Sequence, residues 1–379
     1  MSEVVELCQK LVRFSSCEGQ VEDVMSFLKE YFSKYNFDTR LMRFKTNNGK
    51  SVPSLCASYG KGKPHLLFVG HADVVPAGCD SNWKYPPFDA VIDNGILYGR
   101  GVSDMKGGIA CFVRACVDFV SSEKFGGKIT VIISGDEEEP IVDGTDRVLE
   151  QLHQEGEVFD FALVGEPSNP KDMGDEIKVG RKGDMVLKIC SYGQQGHSAY
   201  TNSLNNPIYN LINLLYHMQN DKIDDGNSYF IPSFMHVTTV DVGNSASNVI
   251  PAEAKAIVDV RFNSEQSFES IEEWLDKHIR QVHGTFKVEK EYIGCSFLSK
   301  IDENIQCLQD IVKKNTGSLP VYSTSGGTSD ARFVSKYCPV AEYGLTNATI
   351  HKVNECEQVK NIELLYKIYK EFLSAFFIK

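Results

Sequence analysis

Leu66-Leu67-Phe68-Val69-Gly70-His71-Ala72-Asp73 sets a continuous apolar run directly before a histidine and a carboxylate. Four large apolar residues in succession leave no polar side for solvent. The run therefore reads as a strand covered on both faces, the habit of a parallel sheet flanked by helices. Ile129 to Ile133, Phe161 to Val164 and Pro339-Val340-Ala341 share this texture. Helical spacing fills the intervals. Val24, Phe27, Leu28, Tyr31 and Phe32 recur at three and four residues, and Ile109, Phe112, Val113, Cys116, Val117 and Val120 keep one apolar stripe from about Gly108.

The middle of the chain is patterned differently. Met185 to Ile189 reads as a strand, Ile208 to Met218 as a helix, and His236 to Val242 and Lys255 to Phe262 as two strands. A helix marked by Phe268, Ile271, Leu275, Ile279 and Val282 follows, then a strand from Thr285 to Ile293. The order βαββαβ is that of a ferredoxin-like unit. The expected architecture is thus α/β: a domain with a mostly parallel, helix-flanked sheet over 1–179 and 294–379, interrupted by a ferredoxin-like α+β domain over 180–293. Neither a repeat nor a low-complexity linker marks the joins.

The 379 residues correspond to two or three domains at roughly 150 residues each. Lys plus Arg is 39 against 51 for Asp plus Glu, a net charge of −12, the wrong sign for gripping phosphates or an anionic membrane surface. Neither a nucleic acid nor a membrane is expected as partner, and no stretch approaches the ~18 apolar residues of a membrane span. The acidic start, Met1-Ser2-Glu3-Val4-Val5-Glu6, is unlike a signal peptide, so a cytoplasmic location is expected. Eleven cysteines without a CxxC pair read as reduced core residues, neither a disulfide framework nor a metal site.

Metal-competent side chains follow the apolar strands: His71 and Asp73 after the first, Glu137 and Glu138 after the second, Glu166 after the third. Ligand sites in open α/β sheets lie beyond the carboxyl ends of the strands, where distant segments converge. In an extended segment His71 and Asp73 share a face, which lets Asp73 orient a metal-bound His71 ring. Asp104 lies in a compact glycine-rich turn from Gly99 to Gly108, placed to bridge two cations. Singly, each feature has a plainer reading. His71 or His351 alone is compatible with a structural or loop histidine, the acids at 136–139 with a solvated turn, Asp104 with a helix cap and Glu166-Pro167 with a turn. Together they are harder to dismiss, because acids gathered at several strand ends repel unless cations join them. Two histidines and three carboxylates without a cysteine suit Zn²⁺, Co²⁺ or Mn²⁺, and five ligands suit a pair of ions roughly 3.5–4 Å apart. A phosphate cradle at 99–108 is a poorer reading, since GxGxxG and GxxxxGK[ST] are absent. A serine hydrolase built on Ser325 or Ser329 lacks a GxSxG elbow.

The segments Gly70-His-Ala-Asp-Val-Val-Pro76, Leu97 to Gly108, Gly165-Glu-Pro167, Ser325 to Phe333 and Asn347 to Glu355 resemble the M20 family of dinuclear zinc deacylases and peptidases, from about residue 5 to the C-terminus. The resemblance implies two zinc ions per subunit, replaceable by cobalt or manganese, with Asp104 between them. His71 and Glu166 would complete one site, Glu138 and His351 the other, with Asp73 behind His71 and Glu137 as general acid and base. It further implies a homodimer whose inserted domain is a lid. His197, in Gly196-His197-Ser198, would bind the developing oxyanion in the partner's site. Arg181, Tyr200, Asn248, Arg261, Thr328 and Asn347 match positions that line the pocket or hold substrate carboxylates, which implies a small anionic amide substrate. A catalytically silent metal-binding dimer is the reading from another class. Two departures from the family pattern stand out. Glu139-Pro140 follows the paired glutamates where glycine is usual, although Asp143-Gly144-Thr145 keeps the register, and Asp184 occupies a position usually held by a small hydroxyl residue.

Overall fold

Every residue from His65 to His71 is buried in the computed structural model, which describes residues 1–45, 51–138, 144–203 and 205–378. Neighbouring side chains on a strand point to opposite faces, so seven buried positions in a row mean that both faces are covered. In chain order the larger elements are helices α1 (Glu3–Val12) and α2 (Glu22–Ser33) and strands β1 (Asp38–Lys45), β2 (Ser51–Lys61) and β3 (His65–His71). Next come helix α3 (Gly107–Ser122), strand β4 (Gly127–Ser134), helix α4 (Gly144–Gln154), and strands β5 (Phe161–Val164), β6 (Glu176–Lys178) and β7 (Gly183–Tyr192). Helix α5 (Pro207–Asn220), strands β8 (Phe234–Asp241) and β9 (Glu253–Phe262), helix α6 (Phe268–Gln281) and strand β10 (Thr285–Gly294) follow. Helix α7 (Glu303–Thr316), strands β11 (Val321–Ser323) and β12 (Val340–Glu342) and helix α8 (Val359–Phe377) complete the chain.

Two units are distinguished by their internal contacts. The first holds Met1–Val179, Ser299–Ser323 and Ser329–Lys379. Its sheet has the order β1-β2-β4-β3-β5-β12-β6-β11. The four apolar runs form its parallel centre, β4, β3, β5 and β12. The sheet is mixed, because β1, β2 and β4 pair antiparallel and β6 meets β12 antiparallel while running parallel to β11. These outer strands escape a search for apolar runs. β1 carries Thr39, Arg40 and Arg43, and β2 fills its buried stretch with small residues such as Ser54, Cys56 and Ala57. Helix α3 lies on the sheet through Phe112, stacked on Phe68 of β3 with centroids 3.9 Å apart, and Tyr369 of α8 meets both rings edge-on. Such aromatic pairs add about 0.5–1.5 kcal/mol beyond the area they bury.

The second unit holds Gly180–Leu298 and Thr324–Thr328. Its sheet, β8-β9-β7-β10, is antiparallel throughout. One face packs under helices: Leu187 and Ile189 of β7 and Val258 and Val260 of β9 meet Leu211 and Leu214 of α5 and Ile271 and Leu275 of α6. The helices start where their sequence says they should, since Asn206 caps α5 ahead of Pro207 and Ser267 caps α6 reciprocally with Ser270. This unit ends at Leu298, past the change of pattern at 293, and takes in a distant loop. Phe297 and Leu298 pair with Arg181 and Gly180, Arg181 Nη1 donates to the carbonyls of Ser325 and Gly327, and Thr324 Oγ1 donates to the Tyr229 carbonyl at 2.6 Å. Hydrogen bonds of this kind leave no trace in hydrophobic spacing.

Candidate metal centre

Strands β3, β4 and β5 run in parallel with His71 opposite Ser134 and Val69 opposite Val164, so their carboxyl ends open on one side. His71 is the last residue of β3, Glu137 and Glu138 follow β4, and Glu166 follows β5. Asp104 comes from the turn ahead of α3. Gly101 opens that turn at φ +85°, a conformation costly for other residues, and a Cβ on Gly108 would lie 2.4 Å from the Gly165 carbonyl oxygen. The first turn of α3 can therefore lie directly against the segment that carries Glu166.

His71 Nε2 is 3.2 Å from Asp104 Oδ1, 3.6 Å from Glu166 Oε1 and 4.0 Å from Glu137 Oε2. The other carboxylate oxygen of Asp104 is 3.3 Å from His351 Nε2, which is also 2.9 Å from Glu138 Oε1. Asp104 thus turns one oxygen to each histidine. Donor atoms of His71, Asp104 and Glu138, and of His71, Glu137 and Glu166, lie within 4.8 Å of one another. His71 Nδ1 donates to the Asp73 carbonyl at 3.0 Å, which leaves the Nε2 lone pair of the neutral ring facing the acids. The Asp73 carboxylate is slightly further, 3.6 Å from Nδ1 through Oδ1, while Oδ2 accepts the Glu138 N–H at 2.8 Å. One aspartate therefore touches the ends of two ligand-bearing strands. His71 is fully enclosed whereas the His351 side chain is 49% exposed, so the cluster opens on the His351 side.

Burial and the crowding of like charges set the protonation preferences of the cluster. Burial and the neighbouring Asp330, Glu138 and Asp104 push Glu137 up to about 8 against the pull of His71. Burial and Asp104 likewise raise Glu166. Burial opposes protonation of His71, but Asp104 and Asp73 outweigh it and raise its pKa. Hydrogen bonds to Asp104 and Glu138 lift His351 to about 10. Two imidazoles and several carboxylates at these separations, including a nearly buried aspartate facing both rings, form a hard to borderline donor set that fits divalent cations.

Of the residues expected to serve this site, His71, Asp73, Asp104, Glu137, Glu138, Glu166 and His351 are brought together. Asn347 is close to Glu166, since its main-chain N–H donates to Asn169 and its side-chain amide lies 3.5 Å from the Pro167 carbonyl. The remainder belong to the second unit. There His197 and the exposed Tyr200 place their rings 5.6 Å apart, and the Asn248 carbonyl accepts the Ser198 N–H beside them. Arg181 is buried against the loop that carries Thr328. Arg261 faces Asp184 across the β7/β9 pair, with Nη1 2.8 Å from Asp184 and Nε 3.1 Å from Asp259, so two of its three nitrogens already meet carboxylates. Glu139, Pro140 and Asp143 lie outside the described residues. Ser329 is buried and donates to the Glu342 carboxylate.

Three buried charged residues around the cluster had no assigned role. Asp330 accepts from Ser134 and Thr145 beside Glu137. Lys106, pushed down to about 8 by burial, donates to the Phe14 carbonyl. Glu355 holds the turn of Asp104. Asp330 and Glu355 lie inside the motif segments quoted above, but their partners are 185 and more than 250 positions away, beyond the reach of spacing arguments.

Fold and site together define a member of a metallopeptidase family: residues 67–375 match peptidase family M20/M25/M40, and the chain belongs to it. Curated relatives include the succinyl-diaminopimelate desuccinylase of Wolbachia pipientis wMel, 39% identical over 374 residues, 98% of this chain and 93% of that protein. That of Ehrlichia canis (strain Jake) is 40% identical over 374 residues, 98% of each chain. Among solved structures, the M20 family metallo-carboxypeptidase of Sulfolobus solfataricus superposes with a TM-score of 0.80 over 99% of both chains at 19% identity. A dinuclear metal-binding M20 peptidase of Bacillus subtilis gives 0.71 over 97% of this chain and 96% of its own at 14% identity. At those identities the structural likeness establishes the fold alone.

Proposed function

We propose that the protein hydrolyses the amide of N-succinyl-LL-2,6-diaminopimelate to succinate and LL-2,6-diaminopimelate, a step toward lysine and cell-wall peptide. The observation that carries this reading is the near-full-length similarity to desuccinylases, combined with convergence of all five proposed metal ligands and a candidate base. His71, Asp104 and Glu166 would hold one ion, and Asp104, Glu138 and His351 a second, zinc in our reading with cobalt or manganese as substitutes. Bound there, such ions supply Lewis acidity that lowers the pKa of water toward neutrality and polarises a carbonyl.

Glu137 takes the proton of the attacking water as its oxygen bonds to the amide carbon, and returns a proton to the departing nitrogen as the carbon–nitrogen bond breaks. Its enclosure among acids favours holding that proton between the two steps. His197 is our choice for the oxyanion donor. Its Nδ1 accepts the Ala199 N–H at 3.1 Å, which places the ring proton of the neutral form on Nε2. Preorganised donors of this kind contribute about 3–4 kcal/mol. Arg181, Tyr200, Asn248, Thr328 and Asn347 line the substrate, and Arg261 contributes what Asp184 and Asp259 leave of its guanidinium.

We further propose a homodimer in which the second unit is both lid and interface. Tyr209, Ile212 and Tyr216 project from one side of α5 at 67%, 54% and 63% exposure, and β8 is an edge strand of that sheet. A second copy would cover both. Eleven free cysteines suit a reducing compartment, which supports a cytoplasmic location. Among the described residues no helix is long and apolar enough to cross a membrane.

The deciding assay compares succinyl-diaminopimelate with acetylornithine as substrates of protein stripped by chelator and then given zinc. Zinc-dependent release of succinate supports the proposal. Preference for acetylornithine would move the assignment within the family, and zinc uptake without hydrolysis of either amide would point to a silent metal-binding protein.

A further inference from the structure

We propose that Glu355 is a positioning residue that clamps the main chain of Asp104 and the loop of His351 onto one buried carboxylate. This rests on the metal reading above. Glu355 is completely buried. Its Oε1 accepts the main-chain N–H groups of Ser103 at 3.0 Å and Asp104 at 3.2 Å, and its Oε2 accepts Gly101 N–H at 3.0 Å and Arg100 Nη1 at 2.7 Å. The clamp also works through the main chain, because the Glu355 carbonyl accepts the Gly99 N–H at 3.0 Å and Cys356 pairs with Tyr98. Glu355 follows His351 by four residues. Between them Asn354 accepts the Lys84 N–H through its side chain, and both His351 and Asn354 have left-handed backbones, at φ 59° and 62°.

Two ligands from segments about 250 residues apart are thereby referred to a single side chain. Only an ionised carboxylate can accept at both ends: three N–H groups and a guanidinium converge on it, each a charge-assisted bond. Glutamine has the same shape but turns one end into a donor that must face other donors in a site closed to water. The Glu355 carboxylate is hydrogen-bonded to main-chain N–H groups and to Arg100, so its effect on the metals passes through the main chain of Asp104 and the loop of His351.

The test is a titration of chelator-stripped protein with cobalt(II) alone, followed by calorimetry and visible absorption. Glu355→Gln is expected to weaken cobalt binding about 10- to 100-fold, the range found when groups that support metal ligands are removed. Its kcat falls with the KM for substrate within about twofold, since no substrate contact is lost. Glu355→Asp keeps the charge but retracts it by one methylene. It should lose about tenfold in affinity, the low end of that range, and it decides the matter if Glu355→Gln does not fold. A residue that only supported the fold would lower the melting temperature and leave cobalt affinity intact. Folded Glu355→Gln or Glu355→Asp with wild-type cobalt affinity would overturn the clamp. Wild-type protein that takes up no cobalt would overturn the metal reading and the clamp with it. The titration needs no turnover, so it is decisive even if the proposed substrate proves wrong.

Discussion

Glu137 is held among acids, 4.0 Å from His71 and beyond the closest donor pairs. Its exchange for glutamine would remove the proposed proton store and keep the shape. Glu137→Gln is expected to retain bound metal, measured by elemental analysis, while kcat falls by at least about 10²-fold. Full activity in that variant would remove Glu137 from the mechanism. At this scale the sequence was informative wherever a side chain directly follows an apolar strand, as His71, Glu137 and Glu166 do. Asp104 was legible from its glycine-rich turn, whereas the role of His351 leaned on the family resemblance, because its loop has no periodicity. Glu355 and Asp330 went unassigned because their value lies in hydrogen bonds to backbone and hydroxyl groups far away in sequence. Asp184, which stands where a small hydroxyl residue is usual, engages Arg261 directly, so part of the guanidinium is committed to it.

Among the elements, β3 joins two histidines of opposite character, His71 at its carboxyl end and His65 at its start. His65 is buried between Thr130 Oγ1 and the Val158 carbonyl, and burial with the nearby Lys128 pushes its pKa down to about 4. The folded protein keeps this ring neutral while the unfolded chain protonates it near 6.5, so the unfolded state binds more protons between the two values. Stability therefore falls as pH drops through that window. From this ring alone the loss between pH 7 and pH 5 is about 2 kcal/mol. His65→Gln removes the titration and should flatten the decline, as read from denaturant midpoints at the two pH values. Equal slopes for variant and wild type would show that the ring does not titrate as described. The same strand illustrates what pattern reading detects. The four central strands announce themselves through unbroken apolar runs, whereas β1, β2, β6 and β11 are short, polar on one side or built from small residues.

The whole molecule carries −12 net charge and is proposed to bind an anion, which gives weight to the local cations of that proposal: the metal ions it calls for, and Arg181 and Arg261 in the second unit. If Tyr209, Ile212 and Tyr216 meet a second copy, one charge in their midst should separate the subunits. Ile212→Glu is expected to sediment as a monomer. It should also lose most of its kcat with metal content unchanged, because His197 would no longer reach a partner. A dimer of undiminished activity would exclude this face. The succession of strands and helices in the second unit was legible from spacing, as was its start at 180, but its end at Leu298 was not, because it is set by the pairing of Gly180–Arg181 with Phe297–Leu298. That pairing makes the insert modular. Its two ends leave side by side, and on the host side the Ser299 N–H already donates to the Val179 carbonyl at 2.7 Å. A lineage could therefore exchange the stretch from Gly180 to Leu298 by a single splice, leaving the reading order of the host strands untouched and only the short loop Thr324–Thr328 behind.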